Sequence, residues 1–133
     1  MVYICVCVCK ESNKILLIQK YTLFYIFYYQ GTKSVKGIFL WSPSEEEKHL
    51  NVKAFSNMTS LRLLKISNVH LPQGLNYLSS ELRSIHWARY PLESMPTSFE
   101  PEKLVELIMR SSLIKQLWKG FKVRFSHMQR IFF

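Results

Sequence analysis

One arrangement of apolar residues dominates the second half of this 133-residue chain. Leu61, Leu64, Ile66, Val69 and Leu71 follow the spacing L-x-x-L-x-I-x-x-V-x-L. Leu82, Ile85, Trp87, Tyr90 and Leu92 take the same spacing 21 residues later, and Leu104, Leu107, Met109, Ser112 and Ile114 take it after a further 22. Three copies that agree in spacing at five positions leave few folds open. The fourth and sixth positions (Leu64/Ile66, Ile85/Trp87, Leu107/Met109) alternate with other residues, so on a short strand they point the same way. A lone strand cannot bury that face; stacking each copy on the next can. The descending segments also rhyme, as in Leu71-Pro72 and Met95-Pro96. Proline ends regular structure there because it fixes φ and removes a donor.

Periods of about 20–29 residues are those of leucine-rich repeats. The expected class is α/β: a short leucine-rich-repeat solenoid of about three repeats, with parallel strands on its concave face, incomplete and uncapped. Upstream, residues 35–40 (VKGIFL) read as a strand. Residues 52–58 (VKAFSNM) read as a short amphipathic helix, with Val52, Phe55 and Met58 at helical spacing. The acidic run 45–47 between them reads as a solvated loop. The ninth position, often Asn or Cys in such repeats, is Val69, Tyr90 and Ser112, so the usual side-chain ladder of the turns is absent. After Lys122 the register is expected to fail, because a fourth copy on the same step needs an apolar residue near 126, where Ser126 and His127 stand. The expected organisation is an aromatic-rich segment 1–30, a lead-in strand and helix 31–60, repeats 61–123 and a tail 124–133.

Composition removes several function classes. Hydrophobic residues at 48% and charged residues at 20% exclude a wholly disordered chain. The 18 Lys and Arg against 9 Asp and Glu give a net charge of +9, but the excess is spread along the chain. Phosphate-backbone binding wants cations gathered on one face. The densest run is Lys115, Lys119, Lys122, Arg124 and Arg130, and it reads as a basic solvated surface, so nucleic acid is not the expected partner. The three cysteines, Cys5, Cys7 and Cys9, would share one face of a strand, too close for unstrained disulfides between neighbours. They also fall short of the four ligands of a structural zinc site, with the nearest histidine at His49. No metal and no cofactor is expected, and the odd, clustered cysteine count points to a reducing compartment. Residues 21–29 are uncharged, with six Phe or Tyr in nine, an aggregation hazard if exposed. They are too short for the ~20 apolar residues of a membrane-spanning helix, so no membrane span is expected.

Several stretches carry a family resemblance in combination: GTKSVKGIFL (31–40), HLNVKAFSNMTSLRLLKI (49–66), LPQGLNYLSSELRSIHW (71–87), YPLESMPTSF (90–99) and KLVELIMRSSLIKQLWKG (103–120). Together they closely resemble the start of the leucine-rich-repeat region of plant intracellular disease-resistance proteins. The class is the one with a Toll/interleukin-receptor-type amino-terminal domain and a central nucleotide-binding domain. The resemblance covers roughly 31–123. It implies a cytoplasmic, or nuclear, segment of an immune receptor that takes part in defence and signal transduction. The implied partners are proteins, either a pathogen effector or other domains of a parent receptor. The chain holds no G-x-x-x-x-G-K-[ST] phosphate loop, so the family's nucleotide switch and NAD chemistry do not carry over. Residues 1–30 and the tail RFSHMQRIFF depart from the family, and 1–30 has the look of translated A/T-rich DNA. The expectation there is a gene fragment or a mispredicted exon.

If the repeats stack, the third, fifth and seventh positions of each copy face the concave side, the usual partner-binding surface of a solenoid. They are Leu63, Lys65 and Ser67; Ser84, His86 and Ala88; Glu106, Ile108 and Arg110. Lys65, Ser67, Ser84, His86, Glu106, Ile108 and Arg110 form the candidate interaction face. His86 has no Cys or Asp within strand spacing, so nucleophilic catalysis has no candidate constellation and no enzyme is expected. Two alternatives stand beside the immune-receptor reading. One is an extracellular leucine-rich-repeat binding domain, which the acceptor sequence Asn57-Met58-Thr59 and the apolar start permit. The other is a non-functional gene fragment.

Overall fold

The computed structural model describes residues 3–8, 16–17, 33, 35–41, 48–49, 52–118 and 129–133. The elements run β1 (Tyr3–Val8), β2 (Leu16–Leu17), β3 (Val35–Trp41), β4 (Lys48–His49), α1 (Lys53–Asn57), β5 (Leu63–Ser67), β6 (Val69–His70), β7 (Ser84–Ala88), β8 (Glu106–Ile108) and β9 (Arg130–Phe132). One sheet has the order β2-β1-β3-β5-β7-β8-β9, and β4 pairs with β6 in a second, two-stranded sheet. From β3 onward every neighbour in the large sheet is parallel, in chain order. The parallel order, with neighbours following the chain, is that of a solenoid.

The register explains which residues are inside. Ile38, Leu64, Ile85, Leu107 and Ile131 form one column across the five parallel strands. Leu40, Ile66 and Trp87 form the next. These are the apolar fourth and sixth repeat positions. Side chains two apart on a strand share a face, so both columns fill the same interior. Helix α1 covers them with Ala54 and Phe55, flanked by buried Val52 and Met58. One turn of helix has no independent stability, and Val52 offers no side-chain cap; its apolar side packing on the sheet is what holds it. The Phe55 ring stacks on Trp87 with centroids 6.3 Å apart, and Trp87 meets Tyr90 edge to face at 4.9 Å.

Backbone hydrogen bonds repeat with the sequence period. The N–H groups of Leu61, Leu82 and Leu104 each donate to the carbonyl three residues back, on Met58, Ser79 and Pro101. Those turns aim the chain into the strands. Next, the N–H groups of Arg62, Arg83, Val105 and Gln129 donate to Lys36, Arg62, Arg83 and Val105, each at 2.8 Å. One bond per rung, always to the rung before, locks the register.

The bends after the strands answer how turns lacking the side-chain ladder are satisfied. Asn68, Arg89 and Ser111 have φ of 53, 58 and 56°, in the left-handed region. Asn68 N–H donates to Ala88 O at 3.3 Å and Arg89 N–H to Arg110 O at 2.8 Å. Neighbouring rungs therefore satisfy each other through backbone groups, and the ninth position is free to be apolar: Val69 and Tyr90 are buried. Tyr90 Oη donates to Ser94 O at 2.9 Å, and burial pushes its phenol pKa up.

The lead-in strand and helix stand where the pattern put them, and Val52, Phe55 and Met58 are buried. One expectation is corrected. The register does not end with the third repeat, because Glu106, Leu107 and Ile108 pair in parallel with Arg130, Ile131 and Phe132. The step is 24 residues instead of 21 or 22. A solenoid fixes where strands pair, while its return path can take extra residues at little cost. At the other edge, β1 pairs antiparallel with both β2 and β3; it is a flanking strand and not a further rung. Cys5 and Cys7 stand opposite Phe39 and Gly37 in that pairing. Cys9, the aromatic run 21–29, the acidic run 45–47, Lys119, Lys122, Arg124, Ser126 and His127 lie outside the described residues.

Candidate functional site on the concave strand face

The residues between the core columns form columns of their own. Gly37, Leu63, Ser84, Glu106 and Arg130 align across the strands, as do Phe39, Lys65, His86, Ile108 and Phe132. Ser67 pairs with Ala88, and Arg110 lies just past the end of β8 with its carbonyl accepting from Arg89. Lys65 and Arg110 are exposed, while Ser67, Ser84, His86, Glu106 and Ile108 are half-buried.

Glu106 organises this surface. Ser84 Oγ donates to its Oε2 at 3.0 Å, and His86 Nε2 lies 2.6 Å from the same oxygen. Arg130 Nη1 reaches Oε1 at 3.5 Å. The hydrogen bond from His86 is the main reason that this carboxyl is held below the usual glutamate range; Ser84 and the charges of His86 and Arg130 act in the same direction, against the cost of desolvation. Three rungs thus converge on one carboxylate.

The trio of Ser84, His86 and Glu106 does not have the geometry of an activated nucleophile. Such a serine gives its proton to an imidazole that a carboxylate orients. Here Ser84 and His86 both address the carboxylate, so no imidazole stands ready to take the serine's proton. Among the described residues no three His, Cys, Asp or Glu side chains converge as a metal site requires. No helix among them is long and apolar enough to cross a membrane.

Other polar contacts tie rungs together away from this face. Lys103 pairs with Glu81, and Lys115 Nζ lies 2.5 Å from Glu93 Oε1. Ser98 Oγ donates to Asn76 O at 2.7 Å. Each joins residues 22 apart, one repeat step.

Sequence reasoning brought Ser84, His86 and Glu106 to one face but did not anticipate that they bond to each other. It named Arg130 only as part of a basic run and placed neither Arg130 nor Phe132 on that face. A signal for them exists: QRIF at 129–132 matches VELI at 105–108 once a 24-residue step is allowed.

Known proteins agree with this architecture. A Leucine Rich Repeat family model matches residues 103–122. The chain is similar to disease resistance protein RRS1 of Arabidopsis thaliana, 40% identical over 118 residues that cover 77% of this chain and 8% of that protein. It is 38% identical over 101 residues to disease resistance protein TAO1 and 38% identical over 105 to disease resistance protein RPS4B, both of Arabidopsis thaliana. Those matches cover 68% and 69% of this chain and 8% and 9% of the relatives. The chain therefore spans less than a tenth of the length of the curated relatives it matches. No solved structure matches it. A stack of parallel rungs in a 21–24-residue register, with a sequence shared at this level, makes the chain a member of the leucine-rich-repeat region of plant disease resistance proteins.

Proposed function

We propose that this chain is a non-catalytic protein-recognition module of a plant immune receptor, serving defence and signal transduction, with its concave strand face as the contact surface. The observation that carries this reading is the division of labour across the sheet. From β3 to β8 the inner columns are apolar and buried, whereas the columns holding Lys65, Ser67, Ser84, His86, Glu106, Ile108 and Arg110 are polar or mixed and reach solvent. A face whose side chains are not needed for the core is open to selection for a partner. The partner is a protein, either a pathogen effector or another domain of the receptor. The compartment is the cytoplasm, or the nucleus, in keeping with the intracellular class the sequence resembles.

Placing a photo-crosslinking amino acid at His86 or at Thr97 tests the reading. Thr97 is exposed on the return path. In extracts of tissue mounting a defence response, a discrete adduct is expected from position 86 and none from 97; equal labelling from both would sink the concave assignment. The extracellular alternative is supported by the exposure of Asn57 and Thr59. Intact mass of the plant-expressed protein decides it, since a glycan on Asn57 is compatible only with passage through the secretory route.

A further inference from the structure

Resting on that concave-face reading, we infer that the face takes an acidic, partly apolar segment of its partner protein, laid in extended form across the strands. The aligned concave columns, with Arg110 beside them, contain one carboxylate, Glu106, against the cations Lys65, Arg110 and Arg130. Glu106 is already engaged: Ser84 and His86 hold Oε2, and Arg130 touches Oε1. A carboxylate already held by a serine, a histidine and, more loosely, an arginine repels an incoming anion less than a free one does.

The cations are in the opposite situation. Lys65 and Arg110 are exposed and have no ion-pair partner among the described residues. Arg130 makes one long contact and is itself exposed, so most of its five donors remain available. Apolar surface lies between them, because Ile108 and Phe132 follow Lys65 and His86 in the same column. A ligand suited to all of this carries carboxylates with an aliphatic or aromatic residue between them.

Spacing narrows the ligand further. Lys65 and Arg110 are two strands and two residues apart, which at ~4.8 Å per strand and ~3.3 Å per residue is about 12 Å. An extended segment covers that in three to four residues, so acidic residues at such an interval reach both cations. Duplex DNA is the competing polyanion, but three cations around apolar side chains fall well short of the 6–10 phosphate contacts of typical DNA binders. The face suits a peptide better.

The test uses the full chain and fluorescence anisotropy with three labelled probes at low salt. One is a nine-residue peptide with glutamates four residues apart and a central leucine. The second has lysine in place of each glutamate, and the third is a short DNA duplex. The glutamate peptide is expected to bind, to weaken as salt rises, and to lose about fivefold or more in affinity with either Lys65→Glu or Arg110→Glu. Lys115→Gln, away from the face, is expected to leave binding unchanged. Wild-type circular dichroism from each variant shows that the fold persists. If the lysine peptide binds as well or better and the concave variants alter its binding, the face is a recognition surface of the other sign, and only the charge inference fails. Peptide binding that ignores both concave substitutions overturns the charge inference and the concave reading together. Tighter binding of the duplex through the same cations assigns the face to nucleic acid and overturns the inference, as does silence from all three probes.

Discussion

The second repeat and the last rung hold the same register and bury very different amounts. In β7, Ile85 and Trp87 are both 0% exposed. In β9, Ile131 is 41% exposed although it continues the column of Ile38, Leu64, Ile85 and Leu107, each at 0%. The difference is one of neighbours. Register decides which way a side chain points; burial needs a rung on either side and a return path over the top. Among the described residues no strand pairs beyond β9. Stability in such a stack is approximately a sum over neighbours, so the same substitution should cost much more in β7 than in β9.

The strongest way to break this comparison is to put a charge into a fully enclosed column. Leu64→Asp buries an unpaired carboxylate between two rungs, and the expected loss is several kcal/mol. Lys65→Asp, one residue on and facing out, should cost less than about 0.5 kcal/mol. Denaturant unfolding of the two variants checks this, and equal losses would mean the faces are assigned the wrong way round.

Next in size is Trp87, the largest fully buried side chain among the described residues. Trp87→Ala should cost about 3–5 kcal/mol through lost packing against Phe55 and Tyr90. Its buried Nε1 has no hydrogen-bond partner among the described residues. Trp87→Phe therefore gives up no hydrogen bond while keeping an aromatic ring, and should lose less than half as much. Comparable losses in thermal unfolding would show that the indole N–H is engaged after all.

The same-column pair sharpens the comparison. Ile85→Ala should cost about 2–5 kcal/mol, and Ile131→Ala less than about 1 kcal/mol because much of that side chain is already in water. If the two cost the same, β9 is covered as fully as β7.

The smallest effect is a dependence on pH. Hydrogen bonds from Lys103 and His86 hold the carboxyls of Glu81 and Glu106 below the usual range. A folded-state pKa below the unfolded value of about 4.3 means that this stabilisation is complete above that pH. It is lost as pH falls through the lower folded values. Glu106→Gln should flatten the fall of Tm between about pH 5 and pH 3, and an unchanged slope would show that the cluster adds nothing to folding.

How legible each part was follows from the same physics. The inner columns could be read because the core demands apolar residues at fixed spacing, and Leu64, Ile85 and Leu107 obey. The concave columns followed from alternation. The contacts of Glu106 did not, because they depend on side-chain reach between residues 20 to 24 apart, which no local pattern encodes. The last rung was missed because Ile131 stands 24 residues after Leu107, off the 21–22-residue step of the earlier copies. The turns after the strands carry no side-chain signature at all: Asn68 and Arg89 are satisfied by the backbone of the next rung, and Ser111 shares their left-handed φ, though only Asn is a usual residue in that region.

The central claim is a single continuous register from β3 to β9. Methyl-to-methyl nuclear Overhauser contacts in a selectively labelled full-length chain measure it directly. The account predicts an unbroken series linking Ile38 to Leu64, Leu64 to Ile85, Ile85 to Leu107 and Leu107 to Ile131, with Ile108 outside that series. Contacts from Ile85 to Ile108 in place of Leu107, or none between Leu107 and Ile131, would contradict it.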